Sequence, residues 1–166
     1  MYYIRNFLPY RAVLMAGNSI DGLPHFARGE VVRGFGRGSK ELGCPTANLP
    51  LEVVKNLPEK IETGVYCGFA SVEGGQVHKM VMSVGWNPFY NNETKTVEVH
   101  IMHKFDSDFY GKDVRIVILD YLRQEKNFES LDALNEAIKS DIRQAKEKLE
   151  LPEFSQYKTH QFFTGP

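Results

Sequence analysis

The segment from Gly34 to Lys40 is the first whose residue types could bind a phosphate. Its sequence, GFGRGSK, places three glycines at alternate positions before a lysine, namely Gly34, Gly36, Gly38 and Lys40. Glycines allow the backbone to bend closely round a ligand, and the amides of such a loop can hold phosphate oxygens while the lysine adds positive charge. The order Ser39-Lys40 does not match a Walker A loop, and a serine stands where the third glycine of a dinucleotide fingerprint belongs. On spacing alone, a glycine-rich turn without a ligand is an equal alternative.

The segment Pro45-Thr46-Ala47-Asn48 contains two hard oxygen donors. The Thr46 hydroxyl and the Asn48 amide oxygen are two positions apart, so an extended backbone would put them on the same side. Magnesium prefers oxygen ligands and takes few of them from protein, the rest coming from water and phosphate. The alternative is a proline-initiated turn in which Thr46 and Asn48 bond their own backbone. For four residues in isolation, this turn is the simpler interpretation.

Glu98 is the candidate for a general base. The segment from Thr96 to Met102 alternates, so Glu98 faces away from the apolar side chains Val97, Val99 and Ile101. A carboxylate that faces a cavity can accept the proton of an attacking hydroxyl. A strand glutamate is more often a solvated residue of the outer face, and in a small barrel either face can lie inside. His100 and His103 are three positions apart and would point to opposite faces of a strand, so a zinc site is not expected.

Short strands are predicted from about residue 28 to 122. Aromatic and β-branched residues are frequent in Val65–Val72 and in Gln76–Val84, and the Gly74-Gly75 pair between them can take the positive φ angles of a tight hairpin. Asn91-Asn92 supplies a turn before Thr96, and Val114–Leu119 is predicted to be a buried strand. Several short antiparallel strands at this spacing predict a closed or nearly closed barrel.

One helix is predicted from about Ser130 to Leu149. Its apolar residues recur at three- and four-residue steps, namely Leu131, Leu134, Ile138, Ile142, Ala145 and Leu149. Ser130 is a suitable N-cap, Asp132 lies in the first turn, and Pro152 is expected to end the helix. The apolar stripe is interpreted as a face that packs against the barrel.

Composition excludes several classes of protein. The 166 residues suit one domain, and the net charge of −1 without a long basic run argues against a dedicated nucleic-acid binder. The two cysteines form no C-x-x-C pair, which fits a reducing compartment, and no apolar run approaches the roughly 20 residues that span a bilayer. Residues 1–22 are predicted to be an N-terminal extension and 23–166 a single domain. The expected location is cytoplasmic, with a mitochondrial targeting segment as the alternative for the acid-poor residues 1–20.

The segment GEVVRGFGRGSKELGCPTANLP, residues 29–50, resembles the signature of the riboflavin kinase family. The resemblance continues through TGVYCGFASV, VHKMVMSVGWNPFYNN, VEVHIMHKF with DFYG, and YLRQEKNFESL, covering nearly everything from about Arg28 to Leu151. It implies a mainly β fold, a six-stranded antiparallel Greek-key barrel with a C-terminal α-helix packed on it. It also implies a monofunctional eukaryotic-type enzyme, since the chain has no room for the FMN adenylyltransferase domain of the bifunctional bacterial members.

The resemblance implies an ATP:riboflavin 5′-phosphotransferase that makes FMN. Glu98, within its E-x-H context, would be the base that accepts the proton of the riboflavin 5′-hydroxyl. Thr46 and Asn48 would help to hold Mg-ATP, with zinc or manganese as alternative ions. The loop from Gly34 to Lys40 would close over the nucleotide.

Further positions match the two substrate sides of that family. His103 and Tyr110 resemble nucleotide-side residues. Arg123, Lys126 and Phe128 resemble residues that line the flavin side, where Gln124 replaces the usual proline.

Two other functions remain as alternatives. One is a noncatalytic flavin-binding barrel that senses or carries flavin. The other is a barrel that binds single-stranded nucleic acid on Trp86, Phe89 and Tyr90, which the near-neutral charge disfavours. The expected partners are riboflavin and ATP, with no nucleic acid and no membrane, and the chain is expected to be a monomer.

Overall fold

The structure is a computed structural model that describes residues 22–34, 43–86 and 94–165. The predicted N-terminal extension therefore lies outside the described residues up to position 21. So do Gly36, Gly38 and Lys40 of the glycine-rich loop, the Asn91-Asn92 turn, and the aromatic residues Phe89 and Tyr90.

Six antiparallel strands in the described part of the chain form one sheet. They are β1 (His25–Glu30), β2 (Ala47–Asn48), β3 (Gly64–Val72), β4 (His78–Trp86), β5 (Lys95–Ile101) and β6 (Asp113–Arg123). Their order in the sheet is β1-β6-β3-β4-β5-β2. Strands β3, β4 and β5 follow one another, and β6 returns to lie beside β3, which is the Greek-key arrangement.

An isolated bridge brings the two edges of the sheet together. Just past the end of β1, Val32 pairs with Asn48 of β2, and the Val32 amide donates to the Asn48 carbonyl at 3.0 Å. Because β1 and β2 are the outermost strands in the order, this contact curls the sheet into a barrel. The predicted six-stranded Greek-key barrel is confirmed.

The inner face of the barrel holds the main core. On β5 the alternation is as predicted, with Val97, Val99 and Ile101 at most 4% exposed. They pack with apolar side chains from the other strands and from the short helix α1 (Leu51–Lys55), including Val53, Met80, Met82, Ile116 and Ile118. This core keeps the strands in register and so determines which residues of β5 face outward.

A second core lies on the outer face, under helix α2 (Leu131–Lys148). Ala145 and Leu149 are buried there with Val81, Val117 and Phe163. The Ser130 hydroxyl caps the helix by accepting from the Ala133 amide at 3.1 Å, as predicted. The packing face is shorter than predicted, because Leu131 is 68% exposed at the first turn.

The C-terminal end of α2 differs from the prediction. The helix ends at Lys148, and Pro152 begins a further short helix, α3 (Pro152–Ser155), at its first position. Proline is accommodated there because the first amides of a helix have no intrahelical partner. Two 3₁₀ turns follow, at Gln156–Thr159 and Gln161–Phe163.

The β3–β4 hairpin turns one residue earlier than predicted. The positive φ angles fall on Glu73 (52°) and Gly74 (67°) instead of on the Gly74-Gly75 pair. The Gly75 amide closes the turn by donating to the Val72 carbonyl at 2.9 Å. The turn therefore runs from Val72 to Gly75 with Glu73 and Gly74 as its central residues, and two central residues with positive φ match the twist of the flanking strands.

No helix in the described ranges is long and apolar enough to cross a membrane.

Candidate active site

Thr46, Asn48 and Glu98 meet where β2 pairs with β5. Asn48 lies directly opposite Glu98 in the antiparallel ladder, and Ala47 lies opposite Val99. The Thr46 hydroxyl donates to the Glu98 carboxylate over 3.0 Å. The two oxygen donors predicted from the sequence therefore lie on one side of an extended segment, beside the predicted base.

The three side chains lie on the outer face of the sheet. Ala47 and Val99 point into the inner core, so Thr46, Asn48 and Glu98 point away from it. The neighbouring outward residue His100 is bound to the same segment, with 2.9 Å between its Nδ1 atom and the Pro45 carbonyl oxygen. All four polar residues are half-buried, which leaves them open to a ligand without full solvation.

Gly34 approaches Asn48 so closely that any larger residue would force one of the two to move. A Cβ atom at position 34 would lie 2.2 Å from the Asn48 Nδ2 atom and 2.9 Å from its Oδ1 atom. The chain that leaves β1 thus runs against the Asn48 amide and limits its position. This contact joins the described start of the glycine-rich loop to the Pro-Thr-Ala-Asn segment.

The Thr46 and Asn48 oxygens fit a magnesium ion better than a zinc ion. Across the described ranges there is no group of three or more His, Cys, Asp or Glu side chains that could hold a metal. A hydroxyl and an amide oxygen are the hard, uncharged donors that suit an ion whose remaining ligands are water and phosphate. Zinc in protein sites favours sulfur and nitrogen ligands, which this pair lacks.

Glu125 is a second carboxylate at the site, and its residue type and spacing predicted no role for it. Its Oε1 atom would lie 2.4 Å from a Cβ atom at Gly85, and Gly85 pairs with Thr96 on β5. Burial raises the pKa of Glu125, Arg123 lowers it, and the negative charge of Glu98 raises it further. The loop after β6 therefore places the Glu125 carboxylate beside Gly85, near the end of β4. Glu98 pairs with the same end of β4. Periodicity gives no signal for a contact that depends on a loop.

The predicted flavin-side residues form one group on that loop. Two cations lie near the Phe128 ring: the Arg123 guanidinium carbon is 5.7 Å from the ring centroid and the Lys126 Nζ atom is 5.3 Å from it. Arg123 is also bound to Asp141 of α2 by two hydrogen bonds. The helix thus holds the Arg123 guanidinium in place. Because Arg123 precedes the loop directly, this contact anchors the start of the loop that carries Glu125.

A cavity of about 400 Å³ opens on the other side of Thr46. Its lining includes the predicted nucleotide-side residues His103 and Tyr110, together with Phe105 and Phe109. The Arg33 guanidinium lies over the Tyr110 ring, with 4.5 Å to its centroid. Thr46 connects the cavity with the candidate base, because it lines the cavity and its hydroxyl donates to Glu98.

Comparison with known proteins identifies the family of this chain. The riboflavin kinase family model (Flavokinase) matches residues 21–149. The riboflavin kinase of Homo sapiens is 60% identical over 141 residues, which are 85% of this chain and 91% of the human protein. That of Mus musculus is 57% identical over the same shares. The crystal structure of riboflavin kinase from Trypanosoma brucei superimposes with a TM-score of 0.70 at 31% identity, covering 85% of this chain and 89% of that one.

The fold and these similarities together define an enzyme, a kinase built on an antiparallel β-barrel. The chain belongs to the riboflavin kinase family, and its similarity to the human and mouse proteins marks it as the eukaryotic type.

Proposed function

We propose that this enzyme transfers the terminal phosphate of ATP to the 5′-hydroxyl of riboflavin, producing FMN and ADP. The observation that carries the proposal is the contact between Thr46 and Glu98, with Asn48 directly opposite Glu98. It joins one candidate metal-ligating oxygen directly to the candidate base, and the strand register sets the second candidate ligand beside them. The cavity beyond Thr46 offers space for the nucleotide on one side, and the loop carrying Phe128 offers an aromatic surface on the other.

Thr46 and Asn48 would hold the metal-bound phosphates. Their hydroxyl and amide oxygens would ligate a magnesium ion, with manganese or zinc as possible replacements, and the bound ion would reduce the negative charge of the phosphates. The Gly34 backbone supports this arrangement because it restricts the Asn48 amide to one side. Gly36, Gly38 and Lys40 would close over the phosphates with amides and a positive charge.

Glu98 would act as the general base. One of its oxygens accepts from Thr46, so the carboxylate is oriented before the substrate arrives. The 5′-hydroxyl of riboflavin would give its proton to Glu98 as its oxygen attacks the γ-phosphorus. The bond from that phosphorus to the ADP oxygen breaks, and ADP leaves. Most of the rate enhancement in such a site comes from positioning and from charge stabilisation.

The loop after β6 would hold the flavin. Phe128, with Lys126 at its ring, offers a flat face for an isoalloxazine ring, and the Arg123–Asp141 pair anchors the start of this loop to α2. His103 and Tyr110 would contact the nucleotide in the cavity. The sites of both substrates then meet at Thr46 and Glu98.

The proposal also covers the oligomeric state, the partners and the location of the chain. The chain would act as a monomer on riboflavin and ATP, without nucleic acid or membrane, through a single domain of residues 23–166. Both cysteines are free, with Cys67 buried and Cys44 half-buried, which is in keeping with a reducing cytoplasm.

The test is FMN formation from riboflavin and ATP with magnesium, followed by chromatography, in wild type and in Glu98→Gln. We expect turnover in the wild type and a kcat loss of at least about 100-fold in the variant, the usual scale for a lost base. ATP affinity should change little, because the carboxylate acts on the acceptor hydroxyl. Glu150→Gln removes an exposed carboxylate elsewhere and should retain wild-type turnover.

Two outcomes would contradict the proposal. A folded wild-type protein that binds riboflavin but makes no FMN with magnesium, manganese or zinc would indicate a flavin-binding barrel without catalysis. A Glu98→Gln enzyme with near wild-type kcat would show that Glu98 is not the base.

A further inference from the structure

His78 and His103 form a stacked pair behind the nucleotide cavity. Their ring centroids are 4.1 Å apart and the planes meet at 20°. His78 begins β4, and His103 lies in the turn after β5. A backbone hydrogen bond joins the two segments, because the Met102 amide donates to the Lys79 carbonyl at 2.9 Å. Within its own turn, the His103 amide donates to the Ile101 carbonyl at 2.7 Å. The stack therefore rests on a fixed backbone.

The pair continues into a longer aromatic row. Phe105 meets His103 edge-on, with 4.8 Å between centroids and 80° between planes, and Phe109 follows at 4.6 Å from Phe105. His103, Phe105 and Phe109 line the cavity, and His78 does not. His78 instead lines a separate shallow groove on the outer surface. One face of the His103 ring is therefore covered by a residue that does not line the cavity.

We propose that His78 is a positioning residue for the nucleotide, which holds the His103 ring in the orientation that the cavity presents to ATP. This inference rests on the proposed function, because it treats the cavity as the ATP site. Without a ring at position 78, the His103 side chain would lose its stacking partner and could turn away from the cavity. Nucleotide affinity would fall, while the riboflavin side and the chemical step would be unaffected.

The charge state of His78 suits this role. Burial lowers its pKa, and the nearby His103 and Lys158 lower it further, so the ring is neutral at pH 7 and stacks without repulsion. The groove that His78 lines also carries Lys79, Lys146, Glu147 and Glu150. Lys79 is bound to Glu150 and to the Lys146 carbonyl. The ring thus acts by its aromatic face and not by an ion pair.

The experiment compares His78→Ala, His78→Leu and His78→Phe with wild type, measuring kcat, the KM values for ATP and riboflavin, and the thermal midpoint. For Ala and Leu we expect the KM for ATP to rise about three- to tenfold, the range that one lost aromatic contact corresponds to. The KM for riboflavin and kcat should stay within about twofold of wild type. His78→Phe keeps a flat ring and should restore the KM for ATP.

The Leu variant separates the effect of the ring from a loss of folding, because leucine keeps the bulk of the side chain at position 78 but has no ring. Gln76→Ala is the matched control, since Gln76 lines the same groove but is not part of the aromatic row. A Leu variant with unchanged KM for ATP would overturn the proposal. So would a Phe variant that behaves like Leu, or a Leu variant in which both KM values and kcat deteriorate together.

Calorimetric titration with ATP alone separates this inference from the proposed function. An enzyme that fails to make FMN but binds ATP more weakly in His78→Leu than in wild type would refute the kinase proposal and support the His78 role. An active enzyme that binds ATP equally well in His78→Leu and in wild type would support the kinase proposal and refute the His78 role.

Discussion

Arg123 and Asp141 form a two-pronged ion pair that joins the end of β6 to the middle of α2. The Arg123 Nε atom donates to Oδ1 at 2.8 Å and Nη2 to Oδ2 at 2.7 Å. The Asp141 side chain is only 7% exposed and that of Arg123 23%. Because the pair is largely removed from water, the loss of one partner would leave the other charge buried without compensation.

Asp141→Asn should therefore lower the free energy of unfolding by about 2–4 kcal/mol. Urea unfolding followed by fluorescence measures the change. The matched control is Glu136→Gln, which breaks the exposed Glu136–Lys139 pair on the same helix and should alter stability very little. An Asp141→Asn protein as stable as this control would contradict the importance of the pair.

Gly34→Ala tests the close approach to Asn48. The added Cβ would lie 2.2 Å from the Asn48 Nδ2 atom, so either the amide or the chain after β1 must move. Because Gly34 is exposed, we expect little change in thermal stability but a fall in kcat/KM for ATP of about tenfold or more, since small displacements at a reacting centre are costly. The variant should resemble Asn48→Ala and require more magnesium for half-maximal activity.

A second glycine controls for the substitution itself. Gly111 has a φ of +74° and nothing within 4 Å of an added Cβ, so Gly111→Asn should be tolerated, because asparagine accepts this backbone region. Full activity in Gly34→Ala would mean that the Asn48 amide is not fixed by this contact.

Local patterns predicted the elements better than they predicted how the elements meet. The alternation in β5 and the Ser130 cap depend on neighbouring residues, and both are found. The pairing of β2 with β5 and the Val32–Asn48 bridge depend on residues far apart in the chain. The alternation also left open which face of β5 lies inside, and the apolar residues of β5 and α1 resolve it by packing in the inner core.

For the candidate site, too, the sequence predicted individual residues but not all of the contacts between them. The Pro-Thr-Ala-Asn segment and Glu98 were singled out by residue type and by family resemblance, and they lie together. Glu125, the Gly34–Asn48 contact and the anchoring of Arg123 by Asp141 were not foreseen. Each depends on a loop or on a helix meeting a strand, for which spacing along the chain carries no signal.

The two cysteines should differ in reactivity. Cys67 is fully buried, and burial raises its pKa to about 12, with the negative charge of Asp120 adding to the effect. Burial also raises the pKa of the half-buried Cys44, so its thiol should react slowly at pH 8. A disulfide exchange reagent should therefore modify one thiol per native chain and two after denaturation.

Cys44→Ser identifies the thiol that reacts. Its native form should release no chromophore, whereas Cys67→Ser should behave like the wild type. Rapid modification of the Cys44→Ser protein under native conditions would show that the region round Cys67 opens readily.

Glu125 and Glu150 should give opposite pH effects on stability. Burial raises the pKa of Glu125 above its ordinary 4.5, so the folded state disfavours its charged form, and the resulting loss of stability develops as pH rises above about 4.5. The hydrogen bond and charge of Lys79 lower the pKa of Glu150, so its contribution is present above about pH 4.5 and is lost on acidification. Thermal midpoints of Glu125→Gln and Glu150→Gln, relative to wild type at pH 4 and pH 7, measure both effects. We expect Glu125→Gln to gain stability relative to wild type between pH 4 and 7, and Glu150→Gln to lose it. Parallel changes in the two variants would contradict the contacts assigned to at least one of these carboxylates.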